Sequence, residues 1–182
     1  MPKKIRVFLR AFEVEDYKKV HQWRADKEIA RNFGGMPRFS SSENEKKWIE
    51  EKIFDKQNVN CAICLKETGE IIGCIFLNEI DWHNRTGHVP VYIGEKKYWG
   101  KGYATEARVL MLKHAFLDRG LNRVWARVLE DNAGAIRMHE KCGYQKEGVL
   151  RQSSFKEGQF VNEFILGVLR EDFLALLDEY EF

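Results

Sequence analysis

The sequence contains no apolar run near the roughly 20 residues that a membrane-spanning helix needs. Its basic start, Met1-Pro2-Lys3-Lys4, leads into Ile5-Arg6-Val7-Phe8-Leu9-Arg10, which is too short and too polar for a secretory signal. Neither membrane insertion nor export is expected, and the cytoplasm is the expected compartment. An excess of charge is also missing. Thirty Lys and Arg against 28 Asp and Glu leave +2, so no global field gathers nucleic acid, although Lys96, Lys97 and Lys101 can still meet a phosphate locally. Of the four cysteines, Cys61 and Cys64 form one C-x-x-C. They fall in an expected strand, where an offset of three points side chains to opposite faces. No Cys/His set has metal-ligand spacing, so no metal site is expected and the thiols read as structural ones in a reducing compartment. Repeats, linkers and low-complexity tracts are lacking as well.

What remains is core material. With 44% hydrophobic and 13% aromatic residues, the 182-residue chain can bury one sizeable core, and residues 1–182 are expected to form a single domain. Ile5 to Arg10 reads as a strand, followed by a helix from Glu15-Asp16 to near Asn32. The Gly34-Gly35-Met36-Pro37 break precedes overlapping capping boxes at Ser40 to Glu45, which open a helix through Trp48 and Ile53. Val59–Leu65 and Ile71–Ile80 read as a hairpin, and Thr86–Gly94 as a further strand. Gly102–Arg119 is a long helical pattern whose buried side is expected from Val109, Leu110, Leu112, Ala115, Phe116 and Leu117, stopped by Gly120. Strand Val124–Leu129, a short helix Asn132–Lys141 and a final hairpin of Gln145–Gln152 and Gln159–Leu169 complete the chain. Paired strands with interspersed helices imply a mixed sheet in an α/β or α+β layer fold.

Gly100 and Gly102 stand between a strand and a helix N-terminus, a place where successive backbone N–H groups make an anion site. Glycine suits both the unusual dihedrals and the close approach of a diphosphate, and Lys97 and Lys101 can add charge. The same glycines also fit a ligand-free tight turn. A Walker A loop is disfavoured because Glu95 stands at its first glycine and Gly102 at its hydroxyl position. A dinucleotide fingerprint is disfavoured because Thr105 occupies its third glycine.

Tyr92-Ile93-Gly94, Trp99-Gly100-Lys101-Gly102-Tyr103-Ala104, Asn132 and Glu140-Lys141-Cys142-Gly143-Tyr144, in this order, resemble the GNAT N-acetyltransferase superfamily across nearly the whole chain. Leu9-Arg10 and Glu147-Gly148-Val149-Leu150-Arg151 resemble its branch of ribosomal-protein N-terminal and spermidine acetyltransferases. The resemblance implies a mostly antiparallel central sheet of about six to seven strands, helices on both faces, and a splayed strand pair holding acetyl-CoA as acetyl donor. The family pattern Q/R-x-x-G-x-G/A falls on Trp99, Gly102 and Ala104, with Trp99 departing from it. By this resemblance Gly100, Lys101, Gly102, Tyr103, Ala104 and Thr105 cradle the pyrophosphate, and backbone groups of Tyr92 and Ile93 pair with the pantetheine arm as an added strand. Lys97, Asn132 and Lys141 complete the cofactor set. Pro90, lacking an N–H, sits where the splay loses a ladder bond.

Acetyl transfer to an amine needs a proton removed from the ammonium and an acid for the departing thiolate. The resemblance places the acid two helical turns after Asn132, where this chain has His139 instead of Tyr; a packing histidine is the alternative. Asn132 reads as a pantetheine contact, a water ligand or a helix N-cap. Glu79 and His88 are the candidate bases, His88 because strand alternation sets His88, Pro90 and Tyr92 on one face. Arg127 occupies a strand position where some relatives hold a catalytic Glu. Acceptor recognition is expected from residues 33–42, the Asp81–His88 loop and the hairpin around Ser153–Phe160. Glu79, Asp81 and Glu163 suit a cationic amine, and Arg38 an acidic substrate. Protein N-termini, polyamines and small-molecule amines all remain open, as does a catalytically silent acyl-CoA-binding module. Homodimerisation is implied by the resemblance alone.

Overall fold

The structure is a computed structural model that describes residues 2–32 and 39–182. The Gly34-Gly35-Met36-Pro37 break, Arg38 and most of the expected acceptor loop lie outside the described residues. Two short strands, β1 (Lys3–Lys4) and β10 (Tyr180–Glu181), pair in parallel near the termini. The main sheet contains β2 (Val7–Ala11), β3 (Val59–Leu65), β4 (Ile71–Asp81), β5 (Thr86–His88), β6 (Val91–Ile93), β7 (Arg123–Leu129), β8 (Gln145–Lys156) and β9 (Gln159–Leu169). Its order is β2-β3-β4-β5-β7-β9-β8, with β6 also on β4; only β5 and β7 run parallel.

Both faces of the central strands are covered, so these strands are apolar on successive residues instead of alternating. One face receives α1 (Tyr17–Ala25), α2 (Lys27–Asn32) and α3 (Ser42–Phe54), whose Val20, Trp23, Ile29 and Ile49 pack on Ala62, Cys64, Cys74 and Phe76. The other receives α4 (Tyr103–Lys113), α5 (Ala133–Glu140) and α6 (Arg170–Leu174). There Ala107, Val109, Leu112 and Phe173 meet Ile63, Ile72, Ile75, Val124, Ala126 and Leu166. Each large side chain fully removed from water contributes about 1.5–3 kcal/mol. Cys61 packs with the α4-side core and Cys64 with the other, and all four cysteines are free.

Three elements differ from the expectation. The first helix breaks at Asp26, which is extended and whose Oδ1 accepts from the backbone N–H of Glu28 and Ile29, capping α2. The long helix after Gly102 is regular only to Lys113 and continues as a π-helical turn over His114–Asp118. That wider turn changes the helical phase. Phe116 is therefore fully buried, while Leu117, expected in the core, is 42% exposed. Finally, the strand expected over Thr86–Gly94 is interrupted at Val89-Pro90. Counted as one, its halves β5 and β6 give seven strands; counted separately they give the eight of the sheet.

Candidate active site

The interruption at Pro90 opens the sheet. β5 bonds β4 on one side and β7 on the other, with His88 opposite Trp125. β6 keeps its ladder to β4, through Gly73–Ile93, Cys74–Tyr92 and Ile75–Val91, and makes none to β7. The two strands diverge, and a cleft of about 610 Å³ fills the gap. Its walls include Val91–Ile93, Trp99, Gly100, Gly102–Thr105, Arg108, Ala126–Leu129, Asn132 and His139.

The turn before α4 closes one end of the cleft. Gly100 and Gly102 have φ of +70° and +88°, the left-handed region that costs other residues about 1–2 kcal/mol. Gly102 is the N-cap of α4 and no side chain caps the helix there, so its first N–H groups face the cleft mouth with the positive end of the helix dipole. The turn is fixed from two sides. Trp99 Nε1 donates to the carbonyl of Ile93 at 2.7 Å, and Arg6 Nη2 donates to the carbonyl of Lys101 at 2.6 Å. Arg6 itself binds Glu106 Oε1 through Nε and Nη2 at 2.8 and 2.5 Å, while its backbone N–H reaches Oε2 at 2.7 Å. Strand β2 is thereby clamped to the first turn of α4.

Alternation divides the rest of the lining between the two faces of the sheet. Val124, Ala126, Val128, Leu166 and Val168 belong to the α4-side core. Trp125, Arg127 and Glu163 therefore point to the opposite face, where His88 stacks on Trp125 with centroids 4.5 Å apart. Burial, then Arg108 and Arg127, push the His88 pKa down to about 4, so the ring is neutral near pH 7. Its Nδ1 lies 3.6 Å from Glu79 Oε1, a close approach of a neutral ring to a carboxylate and not an ion pair. Glu79 is 62% exposed at its side chain and has φ of +52°, set by the irregular register of β4 against β5.

On the α4 face, His139 is 4% exposed. Its Nδ1 lies 2.7 Å from the carbonyl of Ala135, so the proton sits on Nδ1 and Nε2 presents a lone pair. Nε2 is buried and has no hydrogen-bond partner among the described residues. Burial and Arg108 hold the His139 pKa well below its ordinary value. A neutral ring with its only proton committed to Ala135 leaves Nε2 as a hydrogen-bond acceptor. For His139 to supply a proton to a leaving thiolate, Nε2 would have to be protonated, against the direction of its pKa shift.

The comparisons agree with this architecture. The acetyltransferase (GNAT) domain family matches residues 6–145. The chain belongs to the GNAT acetyltransferase family. Among GNAT relatives it is 33% identical over 165 residues to a prophage-derived uncharacterized N-acetyltransferase of Bacillus subtilis (strain 168), covering 91% of this chain and 90% of the other. It is 29% identical over 175 residues to the spermidine N(1)-acetyltransferase of Escherichia coli (strain K12), covering 96% and 92%. The crystal structure of spermidine N-acetyltransferase from Vibrio cholerae in complex with CoA and spermine superposes with a TM-score of 0.85 at 22% identity, covering 93% and 98%, which shows a shared GNAT fold. The chain is accordingly an N-acetyltransferase. No helix among its described residues is long and apolar enough to cross a membrane.

Most expected GNAT site residues meet in the one cleft. Tyr92, Ile93, Gly100, Gly102, Tyr103, Ala104, Thr105, Asn132, Lys141, His88 and His139 all line it. The Tyr92 ring packs edge-on to Trp23 among the side chains of the α1 face. Asn132 caps α5, its Oδ1 accepting from Ala135 N at 3.0 Å. Lys97 is turned away and pairs with Glu70 at 3.1 Å. Lys101 borders the turn through its carbonyl. Asp81 is occupied in its own turn, accepting from Asn84 N and Nδ2 at 2.8 and 2.7 Å. Glu163 does reach the cleft, and Ser153 Oγ donates to it at 2.9 Å. Arg108 was not anticipated. It follows Ala104 and precedes Leu112 by four residues on the inward stripe of α4, and a charge at that spacing is the signal in the sequence.

Proposed function

We propose that the cleft carries out acetyl-CoA-dependent N-acetylation of a primary amine by direct attack, within residues 1–182 as one catalytic domain. The observation that carries this reading is the divergence of β6 from β7 at Pro90, directly beside the uncapped N-terminus of α4. The residues present fit the donor. Gly100 and Gly102 leave a cradle without side chains, the N–H groups at the start of α4 suit a pyrophosphate, and Arg137 and Lys141 line the cleft nearby. The backbone of Val91–Ile93, paired on one side only, suits the two amides of an extended arm. Bound there, acetyl-CoA supplies the activated acyl group.

The gap joins the two faces of the sheet, so the donor and the acceptor can enter from opposite sides. On the face of Trp125, the unprotonated His88 and its neighbour Glu79 are placed to take the proton from an incoming ammonium. Glu163, the carboxylate lining the cleft, suits the positive charge of that ammonium. The E. coli relative is named for spermidine, and a polyamine is the first acceptor to try here; protein N-termini and small amines follow.

The test is thiol release from acetyl-CoA with polyamines, N-terminal peptides and small amines. One class should turn over, Gly102→Glu should abolish binding of acetyl-CoA by placing a carboxylate in the cradle, and Glu79→Gln or His88→Ala should lower kcat and shift its pH profile. Tight binding of acetyl-CoA with no turnover of any amine would make the chain a silent acyl-CoA-binding module.

A further inference from the structure

Arg108 is 1% exposed and makes no ion pair with a carboxylate among the described residues. Its Nε donates to Met138 Sδ at 3.1 Å and its Nη1 to the Tyr144 hydroxyl at 3.0 Å, one a weak acceptor and both uncharged. The carboxylate on its own helix, Glu106, is taken by Arg6. The titratable groups facing Arg108 are His139 of α5, Cys142 and Tyr144 beyond it, and His88 of β5, none of them negative near neutral pH. An Arg buried without a counter-charge is costly, because its desolvation is uncompensated. Such a cost is retained where a ligand's charge answers it. Arg108 lines the cleft, and so does His139, whose buried Nε2 has no hydrogen-bond partner among the described residues.

We propose that Arg108 is the counter-charge for the coenzyme A sulfur, which leaves this site as a thiolate. This rests on the acetyl-transfer reading above. The ammonium first loses one proton through His88 and Glu79 to water. The amine nitrogen then forms its bond to the thioester carbonyl carbon and gives up a second proton by the same route as the C–S bond breaks with its electron pair going to sulfur, so two protons reach water and none reaches sulfur. Sulfur needs no proton within the site, which matches a His139 that has none to give. The guanidinium fills by charge the role for which the sequence suggested an acid.

The experiment compares affinities of the full chain for coenzyme A and for desulfo-coenzyme A, which lacks the thiol, by calorimetry from neutral pH to about pH 9. A cation facing sulfur makes coenzyme A bind increasingly tighter than the desulfo analogue as pH rises, by about tenfold or more at the upper end. Arg108→Met should abolish that preference, leave the affinity for the desulfo analogue unchanged and melt no lower than the parent, while Arg108→Lys keeps the preference. Equal affinities for the two ligands in the parent protein at every pH overturn the inference even if no variant folds. A preference undiminished in Arg108→Met overturns it as well. Failure of both ligands to bind the parent protein would instead sink the acetyl-CoA reading.

Discussion

The indole Nε1 of Trp99 donates to the carbonyl oxygen of Ile93 at 2.7 Å, tying the turn before α4 to the last residue of the strand beside it. Trp99 stands where the family pattern has a polar side chain, and here it holds the two walls of the cleft in register. Trp99→Phe keeps the ring and removes the donor. It should cost about 1 kcal/mol of stability and weaken acetyl-CoA binding severalfold. Denaturant unfolding and calorimetry read both, and an unchanged affinity would show that the bond is incidental.

A side chain at Gly73 would push β6 itself. A Cβ there meets Tyr92 O at 2.2 Å and Ile93 Cα at 2.9 Å, both backbone atoms that cannot swing away. Gly73→Ala should destabilise by about 1–3 kcal/mol and impair acetyl-CoA binding together. Gly148→Ala, with nothing within 4 Å of the new Cβ, should stay within about 0.5 kcal/mol of the parent. Equal behaviour of the two would refute the crowding argument.

Glu106 accepts three bonds from Arg6, while Arg6 also holds Lys101 O. Glu106→Gln keeps the shape but removes the charge from a side chain only 11% exposed. We expect a loss of about 1–3 kcal/mol, and in a double-mutant cycle with Arg6→Met the two losses should be strongly non-additive. Simple additivity would mean that the pair does not couple β2 to α4.

Acidification should destabilise the fold through the half-buried His88 and the buried His139. The His88 pKa in the folded chain is about 4, against an ordinary 6.5. Between those values the unfolded chain binds a proton that the folded chain refuses, so stability is full above about pH 6.5 and falls as pH drops toward 4. The loss from His88 alone is about 3 kcal/mol. His139, also depressed, acts in the same direction. Urea unfolding across this range should show a stability limb that His88→Asn flattens. A limb unchanged by that substitution would assign it to other groups.

What the sequence determined by itself is the set of local features. The strands β3 and β7, the Ser41 cap of α3, the left-handed glycines before α4 and the Asn132 cap of α5 depend on neighbours within a few residues, whose side chains report them directly. The place of the splay was also visible in Pro90, because a missing N–H is a property of one residue. The tertiary structure alone decided which charges are answered. Glu70 draws Lys97 away from the turn, Ala135 fixes the proton of His139, and Arg108 goes without a carboxylate among the described residues. Burial and partners from distant parts of the chain set these states, and desolvation costs arise only when the sheet and both helical layers close around a side chain.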